Sequence, residues 1–179
     1  MSIAERYRPH YTYDDYCQWE GKWELIEGMP YAMSPAPVPE HQRASLKLNI
    51  CFDNALTNCK KCKVYPPLDW KIEDDTIVQP DMLIVCNPIY KKFLDFPPML
   101  VVEVLSPSTA SKDRGEKMEL YQSQQVKYYI IVDPKFKKVE IYQFKEGKYE
   151  LVYMTQDTYL FNFEDAGCTA DVNFLGIWD

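Results

Sequence analysis

Three short runs constrain this chain more than any other feature: Met82–Cys86 (MLIVC), Met99–Leu105 (MLVVEVL) and Tyr128–Val132 (YYIIV). Each is almost continuously apolar and far too short to cross a bilayer. Pro107-Ser108-Thr109 stops the second and Asp133-Pro134 stops the third. Such runs suit central strands covered on both faces. Glu103 stands inside the second run. A lone ionised carboxylate in an apolar interior is very costly, and burying apolar neighbours, at roughly 1.5–3 kcal/mol each, does not offset that. Glu103 must therefore be protonated, paired with a cation, at an exposed rim or bound to a metal.

The rest of the chain supplies layers for that sheet. Thr12 and Asp15 have the spacing of a capping box, which predicts a short helix over Tyr13–Trp19. Lys22–Ile26 and Pro30–Met33 flank Glu27-Gly28 and read as a hairpin. Ser34–Pro39 carries three prolines and reads as a loop. A helix over about Glu40–Leu56 follows, with His41, Ala44, Leu48, Cys51, Phe52, Ala55 and Leu56 on one face. Strands are expected at Cys62–Tyr65 and Leu68–Ile72. A second helix over about Lys112–Gln124 turns Met118, Leu120 and Tyr121 inward. Val139–Phe144 and Tyr149–Met154 read as a hairpin across Glu146-Gly147, and the tail adds a last strand before Phe174–Trp178. This order predicts an α/β (α+β) domain, a central mixed sheet flanked by helices, spanning residues 1–179 as one unit.

Charge and cysteine usage narrow the function classes. Acidic residues outnumber basic ones, 27 to 20, for a net charge of −7. That opposes non-specific nucleic-acid binding, although a local basic groove remains open. The lysines near Lys60–Lys63, Lys112–Lys117 and Lys135–Lys138 read as solvated faces or turns. Met1–Gln18 lacks the apolar segment of a secretory leader, so a cytoplasmic chain without membrane contact is expected. In that compartment the six cysteines read as free thiols. Cys59-Lys-Lys-Cys62 has metal-knuckle spacing, but no second such pair exists, and structural zinc normally takes four ligands. Zinc is not expected there. Cys51 and Cys86 read as core, against a thiol hydrolase, and no glycine-rich phosphate loop occurs.

Asp81 follows Pro80 and opens the first apolar run. If its strand neighbours that of Glu103, the two carboxylates converge at one end of the sheet. Two carboxylates with open positions are a usual way of holding Mg²⁺. Such a metal polarises a phosphate and activates water. Asp113 and Lys117, four apart, share a face of the helix that follows.

In order along the chain come Trp23-Glu24-Leu25-Ile26-Glu27-Gly28, Pro39-Glu40-His41, Gln79-Pro80-Asp81 and Val102-Glu103-Val104-Leu105-Ser106-Pro107-Ser108-Thr109. Asp113, Lys117, Tyr121 and Val126–Pro134 (VKYYIIVDP) complete the series. This series resembles the Uma-type (Uma-two) restriction endonuclease family of the PD-(D/E)XK nuclease superfamily, over about Trp23–Phe144. The resemblance implies a restriction-endonuclease-like core and a metal-dependent endonuclease that hydrolyses DNA phosphodiester bonds. It implies Asp81 and Glu103 as ligands of Mg²⁺ or Mn²⁺, with Glu24 as a further carboxylate. The superfamily's lysine two residues after the second acid is Leu105 here, which moves that role to Lys117. His41, Ser106 and Asp113 are then candidate substrate contacts, and Arg114, within reach of phosphate, reads as solvated. A homodimer cutting both strands follows by analogy. The alternatives are a nuclease-fold binding module without catalysis and a metal-dependent hydrolase of RNA or nucleotides.

Overall fold

In the computed structural model, which describes residues 8–33, 37–155 and 157–179, the three apolar runs lie in one sheet. That sheet has six strands in the order β10-β9-β8-β7-β6-β3. Here β3 is Lys63–Tyr65, β6 Met82–Val85, β7 Leu100–Val104 and β8 Tyr128–Asp133. The hairpin β9 (Lys138–Lys145) and β10 (Lys148–Thr155) completes it. Only the β7–β8 pairing is parallel. A parallel neighbour needs a crossover, and the helical segment between β7 and β8 provides it.

A four-stranded antiparallel sheet stands apart, in the order β2-β1-β5-β4. It contains the hairpin β1 (Trp23–Ile26) and β2 (Met29–Ala32), then β4 (Trp70–Glu73) and β5 (Thr76–Val78). Glu27 and Gly28 both take positive φ, 49° and 75°, as a tight two-residue hairpin turn requires. β5 was not expected from the sequence. The acidic turn Glu73-Asp74-Asp75 reverses β4 into it, and Ile77 pairs with Leu25 of β1.

Helix α1 (Tyr13–Tyr16) is shorter than expected, but its cap forms: Asp15 Oδ2 accepts from the backbone N–H of Thr12 at 2.9 Å and from its hydroxyl at 3.1 Å. Of the expected loop over Ser34–Pro39, residues 34–36 lie outside the described residues. Helix α2 (Pro39–Ala55) starts with proline in its first turn. It buries His41, Ala44, Leu48 and Phe52 against one face of the six-stranded sheet. A terminal hairpin, β11 (Thr158–Phe163) and β12 (Cys168–Asn173), covers the same face, followed by a 3₁₀ turn at Phe174–Trp178.

Alternation along β7 separates the layers. Leu100, Val102 and Val104 point to α2 and the terminal hairpin, while Val101 and Leu105 point to the other cluster. That second cluster includes Ile26, Trp70 and Val78 of the smaller sheet, and Tyr121.

The helix expected over Lys112–Gln124 is two helices. α3 (Ala110–Arg114) and α4 (Glu116–Ser123) meet at Gly115, whose φ −113°, ψ −100° break the helical path. A Cβ there would lie 3.1 Å from the carbonyl oxygen of Ser111. The free-thiol expectation also fails for four cysteines. Cys59–Cys168 and Cys62–Cys86 are joined by S–S bonds, and Cys17 and Cys51 are free. The fold brings together cysteines up to 109 residues apart, which spacing in sequence does not reveal. Among the described residues no helix is long and apolar enough to cross a membrane.

Candidate active site

The β6–β7 register pairs Met82 with Val102 and Leu83 with Val101. Its next step sets Asp81 opposite Glu103, within the reach of directly opposed residues on adjacent strands. Asp81 Oδ2 accepts the backbone N–H of Val104 at 2.8 Å, and His41 Nε2 of α2 lies 3.2 Å from the same oxygen. Asp81 therefore sits at the outgoing end of β7, with its carboxylate tied to both the sheet and α2. Burial alone would lower the His41 pKa, but Asp81 outweighs it and raises it, favouring the imidazolium.

Glu103 is buried, 3% exposed, on the face toward α4. Its Oε1 accepts from Lys117 Nζ at 2.9 Å and from the Tyr121 hydroxyl at 2.7 Å. Lys117 and Tyr121 stand one turn apart on α4, so one helix face supplies both donors. Burial still pushes the Glu103 carboxyl well above the ordinary value, against the pull of Lys117 and with the push of Asp113 and Asp81. Lys117 also meets Glu24 Oε1 of β1 at 2.7 Å. Burial opposes the charge on Lys117, but Glu103 and Glu24 more than reverse this and raise its pKa, so Lys117 is held as an ammonium.

Glu24 is fully buried, at 0% exposure. Its Oε1 accepts the backbone N–H of Gln79 at 2.9 Å and its Oε2 meets Lys112 Nζ at 2.6 Å. Burial would raise its pKa, but Lys117 and Lys112 together lower it. On a straight helix, residues five apart point about 140° away from each other. The break at Gly115 lets Lys112 and Lys117 reach the same carboxylate. Lys112 also lies 4.8 Å from the centre of the Tyr31 ring.

Asp113 completes the group. It is 1% exposed, and neither carboxylate oxygen has a hydrogen-bond partner. Lys117 Nζ comes no closer than 3.8 Å, beyond hydrogen-bond range. Burial raises its pKa, against the pull of Lys117 and of the nearby Thr109 hydroxyl, which does not reach a well-formed hydrogen bond. Glu24, Asp81, Glu103 and Asp113 thus face two ammonium groups, Lys112 and Lys117. Fully ionised, the four acids exceed Lys112, Lys117 and the His41 imidazolium by one negative charge, four against three, so a bound cation would meet a net acidic site. Both contacts to Asp81 fall on Oδ2 and both hydrogen bonds to Glu103 fall on Oε1. Carboxylate oxygens of this kind suit a hard oxygen-seeking cation. Among the described residues, however, no three of these acids bring one oxygen each within 4.8 Å of one another, so the pair Asp81–Glu103 rather than a closed triad is the donor set on offer.

The fold therefore brings Glu24, His41, Asp81, Glu103, Asp113 and Lys117 together. Ser106 is engaged elsewhere: its hydroxyl bonds those of Ser108 and Thr109 at 3.1 and 3.0 Å, ordering the turn into α3. Arg114, read as solvated, makes a two-point contact with Glu140 of β9 at 2.8 and 2.9 Å. Sequence reasoning missed Lys112, Glu140 and the Tyr121 hydroxyl. A basic run broken by glycine was the available signal for Lys112; none existed for Glu140. A cleft of about 530 Å³ lined by Arg8, Met29, Tyr31 and Glu116 adjoins Lys112 through Tyr31. Another, of about 240 Å³ between Lys71, Asp74, Lys91 and Asp95, contains none of these residues.

Comparison with known proteins gives matches of three kinds. The profile of the Uma2 family, described as "Putative restriction endonuclease", matches residues 12–166. An uncharacterized protein of Synechocystis sp., slr1290, is 33% identical over 144 residues, covering 75% of this chain and 74% of that one. The crystal structure of a "putative nuclease belonging to DUF820" from Anabaena variabilis superposes with a TM-score of 0.74 at 15% identity. It covers 94% of this chain and 97% of its own. At that identity the likeness establishes the shared nuclease-like fold.

Proposed function

Because this chain belongs to the Uma2 restriction endonuclease family, we propose that it is a metal-dependent endonuclease cutting DNA phosphodiester bonds at the Asp81–Glu103–Lys117 centre. The observation that carries this reading is the cross-strand pair Asp81 and Glu103, with Lys117 on Glu103 and the unpartnered carboxylate of Asp113 beside them. Asp81 and Glu103 would hold Mg²⁺ or Mn²⁺. The ion would supply Lewis acidity toward a phosphate oxygen.

The chain's own groups then have separate roles. Lys117, held as an ammonium, donates toward negative charge on the phosphate and takes no proton from water. Glu24 fixes Lys117 and Lys112 from the other side. His41, through Asp81 Oδ2, orients that carboxylate. Lys112 is the less buried of the two lysines and offers the phosphate approach. Cutting both strands calls for two such centres, so the reading includes pairing of two copies.

The test compares wild type, Asp81→Asn and Glu103→Gln on DNA, RNA and small phosphodiesters, with Mg²⁺, with Mn²⁺ and with chelator. The expected result is cleavage of DNA that chelator and either variant abolish. Equal inertness of all three proteins on every substrate sinks the reading. The near-complete burial of Glu24, Glu103 and Lys117 favours a second reading, a module that binds nucleic acid without cutting it. Binding with no metal-dependent cleavage would select it.

A further inference from the structure

The four joined cysteines converge on one place, and it is remote from the carboxylates. Asp81 and Cys86 flank opposite ends of β6, about 16 Å apart along an extended strand. His41 and Cys59 likewise lie at or beyond opposite ends of α2, a 17-residue helix about 25 Å long. Cys59 and Cys62 follow α2, Cys86 follows β6, and Cys168 opens β12. The β3–β6 register, with Lys63 opposite Val85, brings Cys62 opposite Cys86 at a Cα separation of 3.9 Å. The sulfurs of Cys59, Cys62 and Cys168 lie within 4.8 Å of one another, and that of Cys86 is one bond from that of Cys62.

We infer that, as free thiols, Cys59, Cys62, Cys86 and Cys168 form a structural zinc site of four thiolates. The knuckle Cys59-Lys-Lys-Cys62 lacks a second pair in sequence, but the fold supplies Cys86 and Cys168 as the third and fourth ligands. Four sulfur donors in a closed arrangement are the preferred set for structural zinc. The backbone N–H of Cys62 already points at Cys59 Sγ, at 3.3 Å, the contact that orients and stabilises a knuckle thiolate. Cys59 and Cys62 are buried, which excludes competing water. Binding takes four protons from four thiols and forms four zinc–sulfur bonds, leaving a unit of charge −2. Lys60, Lys61 and Lys63 flank that charge on the chain. The two S–S bonds are the form in which each thiol pair has lost two electrons. The site joins the end of α2, the β3 edge and the terminal hairpin, so its role is structural.

The full chain is made in a reducing host and purified under an anaerobic thiol reductant, and metal content and X-ray absorption are measured. The expected result is one zinc per chain with four sulfur neighbours at about 2.3 Å, and tetrahedral thiolate bands on exchange with cobalt(II). Cys168→Ser and Cys86→Ser each lower zinc content well below one per chain, while Lys60→Ala leaves it unchanged. Wild type that carries no zinc and takes up neither zinc nor cobalt(II) when fully reduced overturns the inference. So does an absorption spectrum with oxygen or nitrogen neighbours only, which would assign the metal to the carboxylates. Nuclease assays are independent: zinc at the cysteines with no cleavage leaves this site standing.

Discussion

The two faces of the six-stranded sheet are built from the same strands and follow opposite rules. Toward α2 and the terminal hairpin, Leu48, Phe52, Val102, Ile130, Phe161 and Phe174 close an apolar layer, with the buried His41 at the start of α2 on its margin. On the other face, Glu103 and Glu140 lie in register with Ile131 between them, and Asp81 stands beside Glu103 at the strand end, its carboxylate reaching back to His41 of α2. There α3 and α4 bring Lys112, Arg114 and Lys117 over the acids. Burial on the first face is favourable in itself. On the second it is tolerable only because the charges have partners, and Asp113, with Lys117 at 3.8 Å and no hydrogen bond, is the least engaged. Stability on one face comes from volume filled, and on the other from charge balance, which a bound cation can change.

The largest break in that comparison is Lys117→Met. It leaves Glu24 and Glu103 buried without their shared cation and should cost about 3–5 kcal/mol in urea unfolding. The same volume change on the apolar face does not have this effect, so the loss should be partly recovered at low pH, where the acids protonate. A second effect is ligand-linked. Mg²⁺ or Mn²⁺ at about a hundred times its Kd should stabilise wild type by roughly 2.7 kcal/mol. Glu103→Gln should weaken that gain and Phe52→Leu should not. Equal gains in both variants would remove the metal from this face.

Third, Glu140→Gln should cost about 1.5–3 kcal/mol at neutral pH by removing the two-point contact with Arg114. The hydrogen bonds from Arg114 outweigh burial and hold the Glu140 carboxyl below its ordinary value. A depressed acid binds fewer protons folded than unfolded. Its contribution is therefore full above the ordinary carboxylate range and fades as the pH falls through the folded value. Stability curves of wild type and Glu140→Gln should converge in acid; parallel curves would deny the pair this role. The smallest effect is Leu46→Gln. Leu46 lies on the exposed side of α2, and the change should stay within about 0.5 kcal/mol. A larger loss would mean that the apolar layer extends around the helix.

The sequence alone determined the central strands, because buried runs and turn residues are local signals. It determined the amphipathic α2, the hairpin at Glu27-Gly28 and the anomaly of Glu103, since an acid inside Met-Leu-Val-Val-Glu-Val-Leu is costly wherever it folds. The motif series identified Asp81, Glu24 and Lys117 as candidates, but not how they meet. Tertiary structure alone decided that a break at Gly115 turns two lysines onto Glu24, that Asp113 is buried without a donor, and that Arg114 clamps Glu140. It also decided that Cys86 and Cys168 reach the Cys59–Cys62 knuckle. The physical reason is the same in each case. These contacts depend on strand register and helix direction between distant segments, whereas propensity and periodicity act over a few neighbouring residues. Glu103 remains the clearest joint case: its burial cost was legible in one strand, and its partners Lys117 and Tyr121 came from a helix.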